Sequence, residues 1–409
     1  MARAVAAEGG RLIFGAPLTH SDWILKEGVP SGEAGVRHML DACKASGWSR
    51  VYWRALDGGR ALYKSKIVQP EGRWDDDNFW SPKTDAGRKA LEMFTPGMTP
   101  AQRSGVGEKM ARIYDYAHFD SLATAVEYGH RIGLQIHAWV SINEDDHGWG
   151  LQSEFSRKHP RLRWRHRDGR AYISQLSFAY PEVRQYKAAI LHELLHNYKI
   201  DGLFLDWIRT GDVRDNPQTD AEGVADYGYE APLVELFKSR YGPDPRELAN
   251  SDQRWVRLRA EPQTAFMRLA REVARSQKRS VPLAVMVGHP WSYRGLMDPI
   301  DGNLRGYLID TKAWAREGLM DSVVAAGYFR AGGTPEMAFQ ALKNEVEGRV
   351  DVWSYAWVPQ SAADFERDFR LAERMGAREI LFWEADYIDD RPQAAQLKAL
   401  MSSHANTGA

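Results

Sequence analysis

The chain has 409 residues, with 54 Lys and Arg against 55 Asp and Glu, for a formal net charge of −1. That balance gives no electrostatic footing for nucleic acid or an anionic membrane, and no apolar run is long enough for a membrane span, so no membrane insertion is expected. Cys43 is the only cysteine, which excludes an internal disulfide.

Apolar runs and helical stretches alternate from end to end, the pattern of a parallel sheet with crossover helices. Strand one is read at Leu12 to Pro17, helix one at Glu33 to Ser46, and strand two at Arg50 to Leu56. A polar stretch, Asp57 to Asp115, is too long for an ordinary connection and reads as a functional loop or small subdomain. Helix two follows at Ser121 to Ile132, strand three at Leu134 to Val140, helix three at Glu182 to Tyr198, and strand four at Leu203 to Asp206. After a second long loop at 208–230 come helices at Ala231 to Arg240 and Glu261 to Ser276, then strand five at Leu283 to Val287. A helix at Tyr307 to Gly318, strand six at Ser322 to Tyr328 and a helix at Pro335 to Glu347 follow. Strand seven is Val352 to Trp357, the last helix read is Ala362 to Met375, and strand eight is Glu379 to Trp383. Eight strands in this order predict one (β/α)8 barrel over residues 10–400, with long loops after strands two and four and an insertion at 57–115.

The N-terminal Met1 to Ala7 lacks a long apolar stretch, but Ala4-Val5-Ala6 resembles the small-residue site at which export signals are cut. This tilts the expectation slightly towards an exported protein over a cytoplasmic one.

Side-chain alternation decides what faces the barrel axis. Along strand four, Gly202, Phe204 and Asp206 share the inward phase, while Leu203 and Leu205 point to the helices. Asp206 then stands at the C-terminal end of a buried strand, where barrel enzymes carry their catalytic groups. On strand three His137, Trp139, Ser141 and Asn143 share the polar, inward phase. Hydrolysis by paired acid and base groups normally needs two carboxyl groups and no cofactor. The candidates to join Asp206 are Glu384, which closes strand eight after Trp383, and Asp145, which follows strand three in Asn143-Glu144-Asp145-Asp146-His147. Strict alternation with Trp383 inward would turn Glu384 away from the axis. The acidic cluster lacks the regular spacing of a calcium loop.

Carbohydrate is the expected partner because 15 Trp and 17 Tyr supply flat faces for sugar rings. The candidate substrate contacts are Arg54, His137, Trp139, Asn143, Arg209, His289 with Trp291, Tyr328, Trp357 and Trp383, all at or near predicted strand ends. On strand seven Trp353, Tyr355 and Trp357 make one phase wholly aromatic. His192-Glu193-Leu194-Leu195-His196 matches the zinc-protease pattern H-E-x-x-H, but the helical wheel puts both histidines opposite the apolar face, so no metal site is expected.

The segment Asp201-Gly202-Leu203-Phe204-Leu205-Asp206-Trp207-Ile208-Arg209 resembles the fourth barrel strand of the glycosyl-hydrolase-like family 10 group of bacterial glycosidases, which reads D-G-[IL]-x-x-D-[YW]-I-R. Phe119-Asp120-Ser121-Leu122, His137-Ala138-Trp139-Val140, Asp226-Tyr227-Gly228-Tyr229 and Phe237-Lys238-Ser239-Arg240-Tyr241-Gly242-Pro243-Asp244-Pro245 extend the likeness over residues 115–245. The resemblance implies a glycoside hydrolase; on that reading the strand-end positions make Asp206 the nucleophile or base and Glu384 or Asp145 the proton donor. The strand is more distantly similar to glycoside hydrolase family 18, D-G-x-D-x-D-x-E. Trp383 resembles that family's strand-eight tryptophan, but Phe204 and Ile208 stand where the family has its middle Asp and catalytic Glu, so its substrate-assisted mechanism does not carry over. Two alternatives stay open: a carbohydrate-binding barrel without catalysis, and a polysaccharide lyase with His137 or Tyr328 as base and Arg209 holding a uronate carboxylate.

Overall fold

The computed structural model describes residues 12–24, 26, 28–70, 73–74, 77–78, 82–94, 97–105, 116, 119–143, 145, 153–206, 208, 226–287, 299–300, 303–304, 308–324 and 334–406. Parallel strands form a barrel in chain order: β1 (Ile13–Leu18), β2 (Arg50–Asp57), β3 (Gln135–Ser141), β4 (Gly202–Asp206), β5 (Leu283–Met286), β6 (Ser322–Val324), β7 and β8 (Glu379–Trp383). β7 is in two pieces, Asp351–Val352 and Ser354–Trp357. The first piece pairs with β6 and the second with β8, so the interruption at Trp353 is where the ring closes.

Around the strands lie α1 (Gly32–Ala45), α2 (Ser121–Arg131), α3 (Pro181–Asn197), α4 (Ala231–Tyr241), α5 (Gln253–Arg275), α6 (Thr311–Glu317), α7 (Pro335–Glu345), α8 (Ala362–Met375) and α9 (Ala394–Asn406). Short polar residues start several of them. Asp120 accepts from the Ala123 amide at 2.9 Å, and Asp310 accepts from the Ala313 amide at 2.9 Å. α5 begins earlier than its pattern suggested. Asp252 caps it by accepting from the Arg254 amide at 2.9 Å, and the helix runs on through Pro262 as 23 residues. The segment between β3 and α3 also holds more than a loop: a short helix, Glu154–Lys158, and an antiparallel pair, Arg163–Arg165 with Ala171–Leu176.

Two apolar layers follow from the alternation. Ile136, Ala138, Val140, Leu203 and Leu205 join the layer between strands and helices. Trp139, Phe204, Trp353, Tyr355 and Leu381 fill the barrel interior, with Trp357 and Trp383 packed against them. Each such large apolar side chain is worth about 1.5–3 kcal/mol when fully buried. The interior is therefore a solid plug, and chemistry is confined to its ends.

The N-terminal end of the plug is polar but closed. Glu379 accepts from Arg50 at 2.5 Å and from the Tyr52 hydroxyl, and the His137 ring lies 5.4 Å from the Tyr52 ring. Two glycines make room for this layer. A Cβ on Gly15 would stand 2.3 Å from Glu379 Oε1, and one on Gly202 would stand 2.4 Å from His137 Nδ1.

Candidate active site

The C-terminal end is organised by register. Arg54, Trp139 and Phe204 share one row of the register, and Ser141 and Asp206 form the next row towards the mouth. Asp206 is 1% exposed. A buried carboxylate must be hydrogen-bonded, and the Trp139 indole Nε1 donates to Asp206 Oδ2 at 2.9 Å. One face of that indole carries the Arg54 guanidinium, 4.2 Å from the ring centroid. Arg54 in turn donates to Ser141 Oγ at 2.9 Å and is ion-paired with Asp57. The indole is thus fixed by a cation on one side and a carboxylate at its edge.

Across the barrel, the Trp139 and Trp383 rings are 5.0 Å apart at 64°. Trp383 also meets Tyr355 at 6.2 Å, and Tyr355 meets Trp357 at 6.3 Å. An unbroken aromatic row therefore runs from Asp206 on β4 to the ends of β7 and β8. Trp357 and Trp383 are only partly buried and reach the mouth.

Glu384 follows Trp383 directly, and the phase conflict is resolved by its backbone. It sits at φ 59°, ψ 40°, in the left-handed region, so the chain leaves the strand alternation at this residue. A non-glycine residue there costs about 1–2 kcal/mol. The turn after it, Ala385–Asp390, is pinned to the segment after β1. Lys26 Nζ donates to the Asp386 carbonyl at 2.6 Å and to Asp390 at 2.5 Å. Glu384 is half-buried, and burial pushes its carboxyl above the usual range, against the opposing pull of Arg391.

Asp145 is placed differently from its rival. Lys187 Nζ donates to both of its carboxylate oxygens at 3.1 Å, and Ser153 Oγ donates at 3.1 Å. The Asp145 and Lys187 side chains are 1% and 0% exposed. This ion pair ties the segment after β3 to α3, and a carboxylate enclosed in that way is not positioned to hand a proton to a leaving group. Lys187 escaped the sequence reading, although it lies on the apolar stripe of α3, four residues from Val183 and Leu191. A lysine on such a stripe demands a buried anion.

His137 is likewise placed away from the mouth. It is 3% exposed in the N-terminal layer, and burial together with Arg50 holds its imidazole well below its ordinary range. Asn143, one step beyond the Ser141–Asp206 pair, is buried at the mouth. Arg209, His289, Trp291 and Tyr328 lie outside the described residues, as do Glu144, Asp146 and His147 of the acidic cluster.

In the H-E-x-x-H segment both histidines are exposed on the outer face of α3, their rings stacked 5.8 Å apart. Glu193 turns the other way. It accepts from the Tyr63 hydroxyl at 2.8 Å, Ser65 Oγ at 2.6 Å and the Lys66 amide at 2.7 Å, fastening the segment after β2 to the barrel. The motif is a structural clamp, and among the described residues no group of three or more His, Cys, Asp or Glu side chains is arranged to hold a metal ion.

Solved structures share this architecture at low sequence identity. The catalytic domain of β-amylase from Paenibacillus polymyxa aligns over 96% of this chain and 99% of its own, with 9% identity and a TM-score of 0.61. The glycoside hydrolase domain of PgaB (BpsB) from Bordetella bronchiseptica aligns over 96% and 98%, with 13% identity and a TM-score of 0.57. α-L-Fucosidase isoenzyme 2 from Paenibacillus thiaminolyticus aligns over 97% of this chain, with 12% identity and a TM-score of 0.56; the chain spans 49% of that protein. No curated protein matches the sequence. These likenesses establish the barrel fold. Residues 100–352, more than half of the chain and including β3 to β6, match the family described as glycosyl hydrolase-like 10. The chain belongs to the glycosyl hydrolase-like 10 family.

Proposed function

We propose that the protein hydrolyses O-glycosidic bonds of a polysaccharide or oligosaccharide at the C-terminal mouth of its barrel. The observation that carries this reading is the row Asp206–Trp139–Trp383, which brings a buried, oriented carboxylate on β4 within one indole of Trp383, the last residue of β8 before Glu384. Asp206 acts as nucleophile or base, held in orientation by the Trp139 N–H. Glu384 acts as the proton donor, since burial raises its carboxyl in the direction a general acid needs. The intervening indole favours the wider carboxylate spacing, about 6.5–9.5 Å, that admits water and inverts the anomeric centre. Trp357 and Trp383 offer stacking faces to sugar rings, with Arg54 and Asn143 at the edge of the site. Arg209, His289 and Tyr328, on the segments after β4, β5 and β6, complete the proposed substrate contacts.

The family relationship and the glycosidase folds among the structural neighbours support this class of reaction. A lyase using His137 as base is disfavoured by the placement of that imidazole in the N-terminal layer. The test is a screen of the purified protein over a panel of polysaccharides, read both as new reducing ends and as ultraviolet absorbance of unsaturated products. Reducing ends without absorbance support hydrolysis. Absorbance supports the lyase, and binding with neither product supports the non-catalytic barrel.

A further inference from the structure

Beside the mouth, and unused by the chemistry above, lies a second concavity. Its walls are Asn143 after β3, Phe178 before α3, Glu230 at the start of α4 and Gln263 on α5, with Trp164 from the β3–α3 hairpin and Leu233 from α4. Its cavity volume is about 10 Å³, room for one water-sized group such as a hydroxyl, and it is open to solvent on one side. Asn143 belongs to both places, because it lies one step beyond the Ser141–Asp206 pair.

The polar groups here are unusual in kind. Glu230 is 0% exposed and Gln263 is 4% exposed. Glu230 Oε1 accepts from the Arg165 amide at 2.8 Å. Glu230 Oε2 and Gln263 Oε1 are fully buried and have no hydrogen-bond partner among the described residues. A buried acceptor left unpaired is costly, and two on one pocket wall are two acceptors open to a donor. Burial raises the Glu230 carboxyl to about 7, against the opposing pull of the Arg165 amide, Ser177 and the buried Arg259 guanidinium. The rest of the wall holds Ser177 and Arg259, whose guanidinium donates to the Tyr227 carbonyl at 2.8 Å and the Asn250 carbonyl at 3.0 Å, and is otherwise largely apolar and rigid. Phe178 stacks on Phe266 at 4.8 Å and 9°, and Trp164 stacks on Tyr227 at 4.6 Å and 24°.

A guest that suits both halves carries one hydroxyl on a short apolar stem, and it must hang from something large enough to occupy the mouth. We infer that this pocket is a subsite for the exocyclic hydroxymethyl group of a hexopyranose, its CH₂ against Phe178 and Leu233 and its hydroxyl between Glu230 and Gln263. The inference rests on the carbohydrate reading of the mouth and sharpens it: the pocket selects hexose over pentose units. A site built to bond a hydroxyl rejects the analogue lacking it far more strongly than a plain apolar slot rejects a missing methylene.

The test uses full-length protein and three pairs of methyl glycopyranosides that differ only by the hydroxymethyl group: glucoside and xyloside, galactoside and arabinoside, mannoside and lyxoside. Binding is followed by ligand-observed nuclear magnetic resonance. At least one hexoside is expected to bind about tenfold or more tightly than its pentoside. In Gln263→Leu and in Glu230→Gln, each first shown by thermal melting to be folded, that preference is expected to fall to about threefold or less. Equal binding within all three pairs, or a preference unchanged in both folded variants, overturns the subsite. A hexose preference without any cleavage in the polysaccharide screen would keep the subsite and remove the hydrolase. Cleavage without a hexose preference would do the reverse.

Discussion

The two ends of the barrel are built from the same ingredients and do opposite things with them. At the N-terminal end Glu379 meets Arg50 and Tyr52; at the C-terminal end Asp206 meets Trp139, with Arg54 stacked behind. Burial pushes Glu379 up to about 7 and also raises Glu384. A perturbed carboxyl is therefore no mark of an active site by itself. What separates the ends is enclosure. Glu379 is 0% exposed, and its carboxylate is held by Arg50 and Tyr52 from within the same layer. At the mouth, partly buried Trp357, Trp383 and Glu384 leave faces and a carboxyl for something that arrives from outside. The same contrast separates the two rivals for proton donor, since Asp145 is consumed by Lys187 whereas Glu384 is half-open.

Substitutions at the mouth and in the closed clusters should accordingly divide into effects on rate and effects on stability. The largest rate effect outside Asp206 is expected for Glu384→Gln. Turnover of substrates with poor leaving groups should fall about 10²–10⁴-fold, because a donated proton matters most when the departing oxygen is basic. Activated aryl glycosides should lose far less. Steady-state kinetics over a leaving-group series checks this, and a flat dependence would remove Glu384 from the mechanism. Asp145→Asn should act on the other axis. Breaking a buried ion pair from one side typically costs about 3–5 kcal/mol, so chemical denaturation should show a large loss while the leaving-group dependence of the folded protein stays wild-type. A selective loss on poor leaving groups in this variant would move the acid to the segment after β3.

Trp139→Phe should give an intermediate effect. It keeps most of the packing and removes one hydrogen bond to a carboxylate, worth about 1.5–3 kcal/mol. A reduction in kcat/KM of about 10–100-fold is expected, and undiminished activity would show that the indole does not orient Asp206. The smallest effect is expected from His192→Ala combined with His196→Ala. Both side chains are exposed on the outer face of α3, far along the helix from its mouth-side start. Activity should be unchanged, and a loss of stoichiometric zinc in this variant would revive the metal reading of the motif.

Period-two alternation made the barrel and the β3–β4 contact legible, because a buried strand must send its polar phase one way and its aliphatic phase the other. Asp206, Trp139 and Arg54 meet where that rule puts them. Other features had no such periodic signal. The 353 interruption of β7 is a closure effect of the ring, visible only once β6 and β8 are both in place. α5 crosses Pro262, a residue that ordinarily ends helices, because packing of its long buried face overrides the lost hydrogen bond. α9 was not read from its sequence, Ala394–Asn406, whose apolar stripe is weak. Glu384 escapes strict alternation through a left-handed backbone that a glutamate does not advertise. Asp145 read as a mouth residue because its partner, Lys187, is 42 positions away in the chain.

The central claim is that chemistry belongs to one end of the barrel and stability to the other. The most direct test measures Asp206→Asn and Glu379→Gln side by side, each for kcat/KM on a substrate found in the screen and for its melting temperature. Both substitutions are nearly isosteric and remove one carboxylate from opposite ends of the same plug. The account predicts that Asp206→Asn loses at least about 10³-fold in rate while melting close to wild type. It predicts that Glu379→Gln keeps its rate while the melting temperature falls, since Arg50 loses its ion-pair partner. Wild-type turnover in Asp206→Asn, or a rate loss confined to Glu379→Gln, would contradict it.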